Sequence, residues 1–427
     1  MQNNSKWSLS HKIVFYFSFL FLGLNIFPFP INVLPFINGF FYDIIDESFW
    51  NPIVQLTGRI FFDIKEVTVR PNGSGDTTWN WLQEFSMLCM ALIGTIIWTI
   101  LGKNKSNHDK LSYWFNVAIR YYLAFTMLTY GFVKVFPLQF GNITTYRLYE
   151  RLGEMSPMGL LWTFMAYSQG YQFFGGLAEV IGGLLLFFRR TTTLGALICA
   201  GVLANIFALN VFYDVPVKIY SFLLLLMSFY LLYEDFRRLW SFFVLNLPTK
   251  SRVITPFLDK KWFIISRIVF KVLLIVGFGG AMFYDGWSES EYKDAPKTAI
   301  YGPYKVESFE RNSVVSASDT LRWQEVFIDR RGTYDIAFVT NQDGLRKRID
   351  FKINNKNHQL LLSDYTSTAT DTTKYAFSYV QADSSSLYLK GKFKNDSVKV
   401  SMKKMTRKNF LLNSRGFNWI NEYPFNK

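Results

Sequence analysis

TLGALICAGVLANIFALNVF, residues 193–212, is a run of twenty residues without a charged side chain. A helix needs about 20 mostly apolar residues to cross the hydrocarbon core of a bilayer, so this run predicts a transmembrane crossing. Six further apolar segments lie outward from it, at about 12–36, 82–101, 113–136, 169–188, 215–233 and 262–284. The expected fold is therefore an α-helical polytopic membrane bundle of about seven transmembrane helices. Pro28, Pro30 and Pro35 end the regular part of the first segment near Phe27. No small-residue cleavage site follows it, so it reads as a retained helix rather than a signal peptide.

Basic residues set the orientation, because Lys and Arg accumulate in cytoplasmic loops. Lys6 and Lys12 precede the first segment, and Lys103, Lys105 and Lys110 lie between the second and third. Arg189 and Arg190 separate the fourth and fifth, while Arg237, Arg238, Lys250, Arg252, Lys260 and Lys261 lie between the sixth and seventh. The alternate loops carry Arg59, Lys65 and Arg70 spread over a long acidic stretch, and Arg147 and Arg151 beside Glu150 and Glu154. This alternation predicts a multi-pass protein of the inner (plasma) membrane with a cytoplasmic N-terminus. An odd number of crossings then places the C-terminal region outside the cytoplasm.

The chain has 427 residues, 50% hydrophobic and 19% aromatic, with a formal net charge of +14. In a membrane protein that surplus belongs to loops facing anionic lipid, which ranks the bilayer above nucleic acid as partner. Cys89 and Cys199 both fall in apolar runs, so no disulfide framework or CxxC redox motif is expected. The histidines are His11, His108 and His358, and only His11 adjoins a membrane segment in this reading. No paired haem ligands and no zinc or other metal site follow from such a set.

From about residue 298 the apolar period changes from helical to two-residue. Ile349, Phe351 and Ile353 alternate with polar residues, as do Val398, Val400 and Met402. Turn clusters at 330–332, 354–357 and 395–396 separate such runs. The expectation is an all-β domain, sandwich or small barrel. Leu387-Tyr388-Leu389-Lys390-Gly391 and the strand after it look like the closing hairpin of a lipocalin-like barrel, filled or ligand-holding. The tail holds Phe417, Trp419, Tyr423 and Phe425 among polar residues. That mixture suits an interfacial anchor, a cap on the barrel or a plug over the outer mouth of the bundle.

Glu179 lies near the middle of the fourth segment, in Gly175-Gly176-Leu177-Ala178-Glu179-Val180-Ile181-Gly182-Gly183. A carboxylate at mid-bilayer costs about 2.5–3.5 kcal/mol on insertion scales, so it must be protonated, paired or wet. Gly175, Glu179, Gly182 and Leu186 share a helical face, and small residues there admit a close second helix. Arg120 and Lys271 are the candidate partners, Arg120 preferred for its bidentate fork. Asn205 and Asn210 add hydrogen-bonding capacity, as interhelical glue or as part of the site. Lys134, Asp214 and Lys218 form a candidate outer mouth. Lys134 can snorkel there, Asp214 can cap the helix that Pro216 begins, and the two lysines together can attract an anion. The glycine-rich stretch at 70–79 reads as a turn with Asp76 or Thr77 capping the second helix, and otherwise as an anion nest.

Residues 113–240 resemble the DoxX-like family of small four-helix membrane proteins. The likeness rests on Arg120, Tyr130-Gly131-Phe132-Val133-Lys134, Gly176 with Glu179 and Gly182-Gly183, the stretch from Arg189 to Gly195, and Asp214-Val215-Pro216-Val217-Lys218. It implies a four-helix module made of the third to sixth segments. Some members of that family are linked to quinone-dependent sulfur oxidation or membrane redox complexes. The expected organisation is a two-crossing region at 1–111 with an extracytoplasmic loop at 38–81, and the four-helix module at 112–240. A cytoplasmic loop, seventh helix and linker follow at 241–297, then a β domain at 298–408 and an aromatic tail at 409–427. The expected function is an accessory or scaffold subunit that binds an envelope partner or a small apolar ligand. A quinone-linked subunit with a redox partner and a small-molecule transporter are the alternatives, and whether the chain is an enzyme stays open.

Overall fold

The computed structural model describes residues 6–31, 48–68, 73–249, 261–294, 300–315, 319–331, 334–344, 346–354, 357–364, 375–393, 395–405, 410–424 and 426. Pro35, Arg70, Pro71, Asn72, Lys250, Arg252, Lys260 and Phe425, all used above, lie outside the described residues. The chain forms two compact units: residues 1–140 with 156–288, and residues 141–155 with 289–427.

The first unit is helical. All seven apolar segments contain a helix: α1 Leu9–Ile26, α3 Thr78–Leu101, α4 Asp109–Val135, α7 Gln169–Leu186, α8 Thr192–Phe212, α9 Lys218–Tyr233 and α11 Lys261–Asp294. Three more helices lie between them: α2 Asn51–Phe62, α6 Pro157–Tyr167 and α10 Phe236–Phe243, with α5 Thr145–Tyr149 belonging to the second unit. Among the described residues, α1, α3, α8 and residues 261–291 of α11 are long and apolar enough to cross a membrane. A fifth crossing results if α9 and α10, bent by 81° at their junction, count as one broken span.

Local chemistry fixes several ends. Ser8 caps α1 by accepting the His11 N–H, and the helix stops at Ile26, just before the proline run. Thr77 caps α3 in a reciprocal box with Asn80, one of the two caps predicted. The core forms where α4 and α7 lie side by side, filled by Ile119, Leu123, Leu128, Val180 and Leu186. A Cβ on Gly176 would stand 2.6 Å from the Gly131 carbonyl, and one on Gly183 3.0 Å from that of Ala124. The two backbones therefore approach as only glycine permits. Gly182 faces Cys199 of α8 instead, and Gly175, predicted to share its face, has open space around it.

In the second unit eight strands close into a barrel, each antiparallel to the next and β1 to β8. They are β1 Gly302–Arg311, β2 Trp323–Arg331, β3 Tyr334–Asn341, β4 Arg346–Asn354, β5 Gln359–Asp364, β6 Tyr375–Gln381, β7 Ser386–Phe393 and β8 Asp396–Lys404. The alternating residues predicted to be inward are so: Ile349, Phe351, Val398, Val400 and Met402 are buried with Tyr304, Trp323 and Phe377. Burial pushes the Tyr304 hydroxyl up to about 12. The predicted closing hairpin is β7–β8, with Leu389 opposite Val400. Gly391 is forced there, since a Cβ would stand 2.6 Å from the Phe377 ring.

Residues 141–155 strap the outer wall of this barrel. The Tyr146 ring stacks on Phe338 with centroids 4.0 Å apart, and the Arg346 guanidinium lies 4.8 Å from the centre of the Tyr146 ring. The Thr145 N–H donates to Asp329 at 2.5 Å, and Glu150 receives the Tyr146 hydroxyl at 2.7 Å. Outward-pointing Phe327 is thereby fully covered. Phe417, Trp419 and Tyr423 of the tail are exposed, Trp419 by 90%.

Candidate functional site

Two polar features stand out inside the helical unit. The first is an ion pair between α4 and α7. The Lys134 ammonium lies 2.7 Å from one Glu179 carboxylate oxygen and 2.9 Å from the other. Both are withdrawn from solvent, at 8% and 2% exposure. The glycine contact fixes this register, because Lys134 Cβ is itself 2.8 Å from where a Gly176 Cβ would be. The expected Arg120 partner is thus corrected to Lys134. Arg120 precedes Lys134 by fourteen residues, about 21 Å of helical rise, which removes it from the level of the carboxylate. Its guanidinium instead reaches the Thr192 hydroxyl at 3.5 Å and the Tyr121 ring at 5.4 Å.

Lys271 does not join the pair either. Its ammonium stands 5.1 Å from the centre of the Phe188 ring and feels the charges of Arg120, Arg267 and Arg189. Asn205 faces outward from α8, so it contributes nothing to this site, whereas Asn210 is buried and donates to Ser221 at 3.0 Å. Lys134 does not snorkel, because Glu179 holds it inside. The predicted lysine pair for an anion is also absent among the described residues. Lys218 lies 2.9 Å from Asp214 and 3.7 Å from Asp76. Asp214 is left-handed at φ 51° and is not the cap of α9. Asp76 performs that role from another part of the chain, accepting the N–H groups of Lys218 at 2.7 Å and Ile219 at 3.0 Å. A carboxylate there complements the positive end of the helix dipole.

The second feature is a cavity of about 550 Å³ in the same unit, within the usual range for small-molecule sites. Its described lining comes from α1 and the residues after it, the 73–75 turn, α3, α4 and α9. Six of the lining residues are aromatic: Phe27, Trp50, Trp79, Tyr122, Tyr130 and Tyr220. Met87, Leu223 and Met227 add apolar surface, and Asn25, Asn80, Gln83 and Glu84 add polar groups. The Asn25 side chain lies beside the Glu84 carboxyl, and its amide donates to the Phe21 carbonyl at 3.1 Å. The hydroxyls of Tyr122 and Tyr220 stand 3.5 Å apart. Tyr130 connects the two features, lining the cavity while its ring lies 5.7 Å from the Lys134 ammonium.

The sequence reading singled out neither Glu84 nor the cavity. The signal was available: Glu84 is a carboxylate just inside the segment predicted at 82–101, and intramembrane acids mark functional sites by default. His108 was also passed over. It precedes α4, is buried, and its Nε2 lies 2.7 Å from the Tyr16 hydroxyl. Burial, helped by Lys105 and Lys12, holds its pKa below the usual imidazole value. The expectation that only His11 adjoins one of the apolar segments is corrected accordingly, since His108 directly precedes α4.

A 124-residue part of the chain, 29% of it, is 35% identical to the uncharacterized protein YwoB of Bacillus subtilis (strain 168) and covers 79% of that protein. The chain belongs to the YwoB family. No family model matches it. No solved structure matches it either. Most of the chain thus lies outside the part shared with YwoB, whose length is less than a third of the 427 residues.

Proposed function

We propose that this member of the YwoB family is a multi-pass inner-membrane protein serving as an accessory subunit. Its helical bundle holds a small, largely apolar ligand, and its β-barrel docks an envelope partner outside the cytoplasm. The observation that carries the reading is the aromatic cavity beside the buried Lys134–Glu179 pair. All seven helical segments cross the bilayer in this proposal, and residues 113–240 form a DoxX-like module.

The strap supports the orientation. Residues 141–155 link two of the crossings, and they pack on the barrel as one unit with it. Loop and barrel must therefore lie on the same side of the membrane. The loop is sparse in basic residues, with Arg147 and Arg151 alone between Phe136 and Pro157, which suits an outer loop. A reporter fused after Lys427 is expected to work only outside the cytoplasm, and cytosolic activity refutes the topology.

Quinone is the second reading, favoured by three tyrosine hydroxyls in one cavity, since such donors suit quinone carbonyls. Mass spectrometry of small molecules extracted from the purified protein tests both. A stoichiometric quinone selects the redox reading, another stoichiometric compound selects the accessory reading, and no retained compound counts against the cavity as a ligand site.

A further inference from the structure

We infer that the cavity takes an amphiphilic organic cation, its ammonium group held by Glu84 and the surrounding rings. This rests on the ligand-binding reading above and specifies the class of ligand.

The charge balance of the lining comes first. Among the described residues that line the cavity there is no Lys, Arg or His, and Glu84 alone can carry a formal charge near neutral pH. Two lysines on helices that line the cavity, Lys134 and Lys218, are already engaged. Lys134, behind Tyr130, is neutralised by Glu179, and Lys218 is paired with Asp76 and Asp214. Among these described residues an anion meets a carboxyl and no counter-charge, whereas a cation meets its complement.

The surface around Glu84 comes second. Trp50, Trp79, Tyr122, Tyr130 and Tyr220 line the same space. Aromatic faces attract ammonium groups through their quadrupole, most strongly where water is excluded, and clusters of rings are the usual solution for quaternary amines. Asn25 adds a fixed dipole beside the acid.

The rest of the lining comes third. Met87 and Met227 offer adaptable apolar surface to the remainder of the ligand.

The test uses the full chain in zwitterionic lipid nanodiscs, followed by tryptophan fluorescence and thermal shift. Three matched probes are titrated: benzyltrimethylammonium, its neutral carbon isostere neopentylbenzene, and benzoate. The ammonium is expected to bind at least tenfold tighter than the other two. Glu84→Gln should weaken it about 10- to 100-fold, the range for losing an interaction with a charged group. The wild-type comparison of the three probes serves if Glu84→Gln does not fold. Equal binding of the isostere, or undiminished binding by a folded Glu84→Gln, overturns the cation assignment and leaves the cavity reading standing. Failure of all three probes also overturns it, and the extracted-ligand measurement then decides the cavity reading separately.

Discussion

Replacing Glu179 with Gln leaves the Lys134 ammonium, 8% exposed, facing a neutral amide between two tightly packed helices. At 2.7 and 2.9 Å the charges attract each other by roughly 6 kcal/mol at an effective dielectric constant of about 20, before desolvation is counted. Desolvation consumes much of that, so the intact pair adds little net stability. Breaking it is different, because one buried charge then stays uncompensated, at a cost of about 3–5 kcal/mol. Glu179→Gln and Lys134→Met should each destabilise by that amount. Glu179→Leu alone should cost the same, and the double replacement Lys134→Met with Glu179→Leu should lie close to the wild type, giving a coupling energy of about 6–10 kcal/mol, the sum of the two single costs. Arg120→Gln combined with Glu179→Gln should be additive within about 0.5 kcal/mol, as distant sites are. The assay is equilibrium unfolding in mixed micelles, with helicity followed as denaturing detergent is raised. Single replacements costing under about 1 kcal/mol, or a coupling that appears with Arg120 and not with Lys134, refute the pairing.

Three further outcomes are expected. Gly176→Ala places a Cβ 2.6 Å from the Gly131 carbonyl and 2.8 Å from Lys134 Cβ, and overpacking of this kind costs about 1–3 kcal/mol, read in the same unfolding assay. Tyr146→Ala removes the ring between Phe338 and Arg346 and should cost about 2–4 kcal/mol of strap docking, seen as faster proteolysis within residues 141–155. His108 has a folded pKa below its unfolded value, so its contribution to stability is complete above about pH 6.5 and is lost as pH falls through the folded value. The melting temperature should therefore drop on acidification below about 6.5, and His108→Gln should flatten that slope.

The parts of this molecule that were legible depend on short-range pattern. Apolar runs gave the seven helices, Pro28 and Pro30 announced the end of α1, and the two-residue period of β4 and β8 gave the inward faces of a barrel. Thr77 was readable as a cap because its partner Asn80 is three residues away. The site depended on long-range register instead. Lys134 looked like a headgroup lysine because the level of Glu179 against α4 is set by Gly131 meeting Gly176, a contact no periodicity encodes. Arg120 was favoured for guanidinium geometry, yet geometry decides only between groups at the same depth. Asp214 was placed as the cap of α9 by proximity in sequence, while the capping carboxylate, Asp76, comes from a turn more than a hundred residues earlier.

That remote cap bears on the ligand site. Asp76 binds the first N–H groups of α9, and the neighbouring Gly75 N–H donates to the Pro216 carbonyl at 2.8 Å. Gly75, Val217 and Ile219 all line the cavity. The turn before α3 and the start of α9 are therefore pinned together at its rim by charge-assisted bonds, which are about twice as strong as neutral ones. On α4, Tyr130 lines the cavity with its ring 5.7 Å from the Lys134 ammonium, and Lys134 is held by Glu179. Both parts of the lining are thus set by interactions internal to the protein. A ligand entering such a space does not have to order it, so its binding energy is available for selectivity, and selectivity rests on Glu84 and the rings around it.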